Sequence, residues 1–276
     1  MNDSDLLLVS TKNHVTTLTM NDPRRLNGWT DGMMRALQAA MKNAANDVDT
    51  KAVILTGTGR YYSAGVNLGG TLKLAHPRVL RDQIIEHNQA LFDLFIDFDK
   101  PILVAVNGPA IGATVTSSTL CDATIAAESA TFLTPFHRLG VPPEGCSSIL
   151  FSRLMGEVTA QRMLGAEGFK PTATEAADAG LITQVVADAE LMTTAQQLAE
   201  SWVAAGKLRT FCGNATRAEL KAVNARESVE VANAFLSPRF LSGQFRFLRD
   251  KRKVGPALMF LALRVSHPLW SRLLRD

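Results

Sequence analysis

The chain has 276 residues, 46% hydrophobic and 20% charged, which suffices for a full buried core and excludes a disordered or fibrous protein. A formal charge of +3, with the basic residues gathered at 246–253 and not striped between aromatics, excludes an extended nucleic-acid surface. Cys121, Cys146 and Cys212 are too few and too far apart for a disulfide framework or a paired-cysteine metal site, and no segment reaches the roughly 18 uninterrupted apolar residues of a membrane span.

Those scattered cysteines make a reducing compartment the expectation, and the polar, acidic opening (Asn2, Asp3, Asp5) lacks the cationic and apolar regions of a signal peptide. Residues 6–9 and 15–20 are β-prone runs linked by the turn-like Lys12-Asn13-His14 and read as a hairpin. Thr30 is the expected N-cap of a helix carrying Met33, Met34, Leu37, Met41 and Ala44 at helical spacing, ended by Asn46-Asp47. The apolar run 52–55 reads as a buried strand that stops at a glycine loop, 56–59. That loop continues through Ser63-Ala64-Gly65, whose small side chains let a ligand approach the backbone.

Residues 79–98 form an amphipathic helix pattern, and 102–106 is a second buried strand. The following Asn107–Thr114 stretch is a second strand-to-glycine-loop-to-helix junction, where the first helical N–H groups lack internal partners. Two such junctions could hold one oxyanion. Strands are also expected at 123–127, 130–133 and 183–186, a capping box at Thr172–Glu175, and a helix end at Gly180. From 189 to 263 the pattern is helical, with breaks near Gly206, Ser237-Pro238 and Gly255-Pro256.

Between them lies Pro142-Pro143-Glu144-Gly145-Cys146-Ser147-Ser148, one carboxylate at the mouth of an apolar run. The prolines place Glu144 at a helix start, where it either complements the helix dipole, worth about 0.3–1 kcal/mol, or serves a site. His137 reads as a surface or core-edge histidine, Cys146 as a small packing residue, and Asp122 as a structural cap. The apolar tail 254–274 is expected to dock on a subunit or, failing that, a membrane surface, so that deleting 255–276 weakens assembly and spares the site.

Several motifs together resemble the crotonase (enoyl-CoA hydratase/isomerase) superfamily over nearly the whole chain. They are Asn21-Asp22-Pro23 with Leu26-Asn27, the loop Tyr62–Leu68, Pro101 with Ala105–Gly112, Cys121-Asp122, and Glu175-Ala176 with Gly180-Leu181-Ile182. The resemblance implies an α/β fold, a spiral of ββα units over 1–187 holding an acyl-CoA site. It also implies a C-terminal helical region over 188–276 for oligomerisation and cover of the CoA site, and assembly as a homotrimer or hexamer. No metal or separate cofactor is implied, since coenzyme A is part of the substrate. Carried over residue by residue, the N–H groups of Ala64 and Ala113 form an oxyanion hole, and Leu26, Ser63, Gly65, Asn67, Leu68, Gly112 and Phe136 border the substrate. Arg24, Arg25, Lys251 and Lys253 are either CoA-phosphate contacts or solvated surface charge.

Family hydratases carry two catalytic glutamates where this chain has Thr116 and Phe136. The segment Pro135–Ser148 is instead similar to the eukaryotic Δ3,Δ2-enoyl-CoA isomerases, in which the glutamate matching Glu144 is the base. The resemblance thus implies an isomerase of unsaturated fatty-acid β-oxidation. The alternatives are an acyl-CoA-binding homologue without turnover and a hydratase or other enzyme of the same fold on another acyl-CoA. Asn67 stands where related isomerases often carry an acid, which leaves substrate preference open. A peroxisomal or mitochondrial setting follows from the resemblance alone, because Leu273-Leu274-Arg275-Asp276 is no SKL-type address.

Overall fold

In the computed structural model, which describes residues 5–66 and 75–274, the opening hairpin turns on Asn13 and His14, both left-handed (φ 50° and 65°). Strand β1 (Leu7–Lys12) pairs antiparallel with β2 (Val15–Met20), Lys12 opposite Val15. Helix α1 (Asp31–Asn46) starts where expected: the Thr30 side chain accepts the Met33 N–H, and the apolar positions named from the spacing are all buried.

Strands β3 (Ala52–Gly57), β4 (Ile102–Val106), β6 (Ala123–Ala127) and β8 (Gln184–Val186) continue the sheet in parallel, in the order β1-β2-β3-β4-β6-β8. β4 and β6 are buried throughout and β3 nearly so, because both sheet faces are covered there. Val53 and Leu55 join a core with Met33, Leu37, Phe92 and Phe95 of the helices on one side. Ile54, Leu103 and Ile125 face the other way, against Leu191, Ala195 and Ala199.

The chain spirals because β4 and β6 are each followed by a shorter outer strand and then a helix. After β4 come β5 (Ala110–Ile111) and α3 (Ala113–Ser118); after β6 come β7 (Phe132–Leu133), α4 (Phe136–Leu139) and α5 (Ser147–Leu164). Outer strands β5 and β7 pair in parallel, and Ser63 bridges to Ala110, so the loop after β3 is the outer strand of the preceding turn, before helix α2 (Pro77–Ile96). The expected strand at 130–133 shrinks to two residues, and α5 breaks at Gly156 (φ 76°) between its two apolar-periodic halves. The capping box forms at Thr172 and Glu175 before α6 (Ala173–Asp178).

The C-terminal helices have separate tasks. α7 (Leu191–Ala204) supplies the second sheet cover, whereas α8 (Arg217–Phe235) lies along α2. α9 (Pro238–Asp250), capped by Ser237, and α10 (Val254–Trp270) fold back together. Phe240, Leu241, Ala257 and Phe260 bury themselves in a third cluster with Leu80, Ile84, Val141 and Val231. None of the described helices is long and apolar enough to cross a membrane.

Candidate active site

The loops after β3 and β4 are fastened backbone to backbone. Ser63 N–H donates to Pro109 O (3.3 Å), and Ile111 N–H donates to Ser63 O (3.1 Å). Gly65 has φ +82°, and a Cβ there would sit 2.5 Å from Ile111 O, so the close approach requires glycine. The buried Ser63 is a fastener and not a pocket residue: its hydroxyl donates to Asn27 O (2.7 Å) and accepts the Gly65 N–H (3.1 Å).

One expectation fails at this junction. The Ala64 N–H already donates to Leu26 O at 2.9 Å, so it is not free to meet a substrate oxygen, and Leu26 serves the loop through its carbonyl. The Val66 and Ala113 N–H groups have no acceptor among the described residues, Ala113 because it opens α3. Both residues, with Ala64, Gly65, Ile111 and Gly112, line one cavity of about 370 Å³. Of the two neighbouring N–H groups, Val66's and not Ala64's is the one without an acceptor among the described residues.

The cavity is walled by Leu80, Ile84 and Leu91 of α2, by Phe136, Leu139 and Val141, and by Val231 and Phe235 of α8. Glu144 borders it too, and its Oε2 accepts a 2.8 Å hydrogen bond from Asn88 Nδ2. Burial raises the Glu144 carboxyl to about 7, against the pull of the Asn88 bond, and the nearby Glu227 charge raises it further. The other acid bordering the cavity is Asp31, exposed in the first turn of α1.

Glu144 does not cap the helix that follows. Glu227 of α8 does, accepting from Cys146 N–H (2.6 Å) and Ser148 N–H (3.0 Å), which leaves the Glu144 carboxylate to the cavity. Between them Gly145 and Cys146 both adopt positive φ (65° and 63°). A Cβ on Gly145 would lie 2.6 Å from Thr116 Oγ1, so the backbone of this loop occupies the space beside Thr116 where a longer acidic side chain would have to reach.

The structure thus gathers Ala64, Gly65, Gly112, Ala113, Phe136 and Glu144 at one cavity. Arg24 and Lys251 are exposed and lie outside its lining, and Asn67 and Leu68 fall outside the described residues. His137 is exposed and does not line the cavity; Cys146 is buried, with burial pushing its thiol up. Asp122 is structural but caps no helix: it accepts from Ile102 N–H (2.8 Å) at the start of β4 and pairs with Arg209 (2.8 Å). Among the described residues no three His, Cys, Asp or Glu side chains gather as a metal site would need.

Sequence reading missed Asn88, Val66 and Glu227. Asn88 carried a signal, because it interrupts the Leu80–Ile84–Leu91–Phe95 stripe of α2 with an amide.

The tail is partly buried against its own chain, while Leu258, Val265 and Leu269 stay exposed. Ala257 and Phe260 are buried and belong to the same apolar cluster as Leu80, Ile84, Val141 and Val231, which also line the cavity. Truncating one buried phenylalanine costs about 3–5 kcal/mol. Deleting 255–276 should therefore lower Tm and weaken acyl-CoA binding; unchanged melting and binding would contradict this docking.

A ββα spiral with two backbone donors that lack an acceptor among the described residues, and a buried carboxylate on the same cavity, defines the crotonase fold class. Solved structures agree: an enoyl-CoA hydratase/isomerase from Pseudoalteromonas atlantica T6c matches with TM-score 0.73 and 29% identity, covering 89% of this chain and 97% of that one. The enoyl-CoA hydratase/isomerase family model matches residues 10–236, and the chain belongs to that family. It is similar to enoyl-CoA delta isomerase 2 of Rattus norvegicus, 34% identical over 91% of this chain and 66% of that protein. It is also similar to chromodomain Y-like protein 2 of Mus musculus, 33% identical over 82% of this chain and 46% of that protein. The chain thus spans no more than about two thirds of the length of either relative.

Proposed function

We propose that the chain is a Δ3,Δ2-enoyl-CoA isomerase. The observation that carries this reading is the buried Glu144 carboxylate, held by Asn88, on the same apolar cavity as the N–H groups of Val66 and Ala113, which have no acceptor among the described residues. In this reading the thioester oxygen of a 3-enoyl-CoA accepts hydrogen bonds from Val66 and Ala113. Glu144 removes a proton from C2, the electrons delocalise onto that oxygen as a dienolate, and the proton returns at C4. The double bond then lies between C2 and C3. One carboxylate suffices, and nothing is consumed.

Hydration needs a positioned water and a second acid–base group, which Thr116 and Phe136 do not supply. The apolar walls keep water from the dienolate. Similarity to the isomerase 2 sequence supports the same choice. On the family analogy alone we also propose a metal-free, cofactor-free trimer or hexamer in peroxisome or mitochondrion, with a core over 1–187 and CoA-covering helices over 188–276. The second reading, acyl-CoA binding without turnover, is favoured only by the similarity to chromodomain Y-like protein 2, whose name denotes no enzyme.

The pH profile tests the base. Glu144 accepts a proton only when ionised, and its carboxyl sits at about 7, so kcat/KM for 3-hexenoyl-CoA should rise tenfold per pH unit below 7 and level off above it. A limb near the usual carboxylate range, or a flat profile between about pH 5 and 8, would contradict it.

A further inference from the structure

α8 buries more than an apolar stripe. Between Leu220, Val223 and Val231 it also buries Asn224, Glu227 and Ser228. Glu227 is 1% exposed and has no salt bridge among the described residues. Its neighbour Arg226 is exposed, 4.0 Å from Glu230, and reaches Ser148 Oγ at 3.4 Å. Burying a carboxylate without a paired cation is unfavourable by several kcal/mol, whereas a serine or asparagine could have capped α5 without that penalty. The carboxylate instead grips Cys146 N–H and Ser148 N–H, on either side of Ser147, the first of them within the left-handed Gly145–Cys146 pair. A non-glycine residue at φ 63° persists only when its surroundings hold it there.

Ser228 acts from the next position. Its hydroxyl lies 2.9 Å from Asn88 Oδ1 and 2.7 Å from Asn224 O, with one proton to give. Donated to Oδ1, that proton turns the Asn88 NH₂ toward Glu144 Oε2; the reverse amide orientation would set Oδ1 against an ionised carboxylate. Asn224 ties the two helices together by donating to Gln89 O (2.9 Å) and Asp93 Oδ1 (2.8 Å).

We infer that this turn of α8 positions the base, Glu227 by holding the backbone that follows Glu144 and Ser228 by orienting the amide that binds its carboxylate. The inference rests on Glu144 being the base. Neither side chain lines the cavity, so both are positioning residues. The groups facing this corner are Asn88, His87 and Asp93 from α2, the last paired with Lys221 (2.8 Å), Thr116 from α3, Asp31 from α1, and Glu227 with Arg226 from α8. Of these, Glu227 is the charge that raises the Glu144 carboxyl, and Asn88 is the donor that lowers it.

The two residues therefore predict opposite shifts. In the free protein, the Glu144 titration followed by carboxyl 13C NMR should move down in Glu227→Gln and up in Ser228→Ala. General loosening of the fold would move both the same way, and that result, or no movement in folded variants, overturns the inference. If Glu227→Gln does not fold, Ser228→Ala decides by its sign. Turnover gives a second arm: each variant should lose about tenfold in kcat with little change in KM, and Ser228→Ala should add nothing in an Asn88→Ala background. Additive losses would overturn it. The titration needs no acyl-CoA, so a wild type without turnover sinks the isomerase reading, while the NMR shifts still decide whether this turn of α8 sets the Glu144 carboxyl.

Discussion

Glu144→Gln should keep acyl-CoA affinity and lose isomerisation by about 10²–10⁴, the range general-base catalysis contributes. The amide conserves volume and still accepts from Asn88 Nδ2, so the cavity keeps its shape while the proton acceptor is gone. The same substitution should stabilise the protein at alkaline pH. Glu144 has a folded carboxyl raised to about 7, so the folded state binds its proton more tightly than the unfolded chain does. The resulting stability is present below the unfolded value and is lost as pH rises through 7, where the buried group must ionise. Glutamine never ionises, so the variant should gain on wild type above pH 7. Wild-type turnover in a folded Glu144→Gln protein would place the base elsewhere.

Ala113→Pro should lower turnover by about 10²–10³, the value of one oxyanion donor. Ala113 is the first residue of α3, where a proline fits the helical φ and its missing N–H breaks no internal hydrogen bond. The fold should therefore survive, and circular dichroism with melting would show whether it does. Ala113→Ser keeps the N–H and adds one oxygen at a buried site, so its loss should be small. A folded proline variant with full activity would remove Ala113 from the mechanism. The cost should fall mainly on kcat, because the developing oxyanion binds these donors more strongly than the ground-state carbonyl does.

Local signals carried the scaffold. Thr30, the Thr172–Glu175 box and Ser237 mark helix starts by side-chain chemistry written within three residues, and the runs in β3 and β4 are continuous because helices cover both faces. Glu144 was legible as a lone carboxylate in an apolar run, but its partner was not assigned. Asn88 is 56 residues away, and only the spiral brings α2 beside the loop before α5. Glu227 lies 81 residues beyond Cys146, and the helix-start role first open to Glu144 belongs to it. Ala64 failed for a finer reason: which N–H of a loop stays free depends on where the returning chain offers a carbonyl, and Leu26 O falls on Ala64. Spacing within one loop cannot show that.

The most direct measurement gives the purified protein 3-hexenoyl-CoA and 2-hexenoyl-CoA side by side and follows the conjugated enoyl chromophore while products are separated. The isomerase reading expects 3-hexenoyl-CoA to become 2-hexenoyl-CoA without accumulation of a hydroxyacyl-CoA, and 2-hexenoyl-CoA to gain almost no water. Rapid hydration of 2-hexenoyl-CoA with no double-bond migration in 3-hexenoyl-CoA would contradict it.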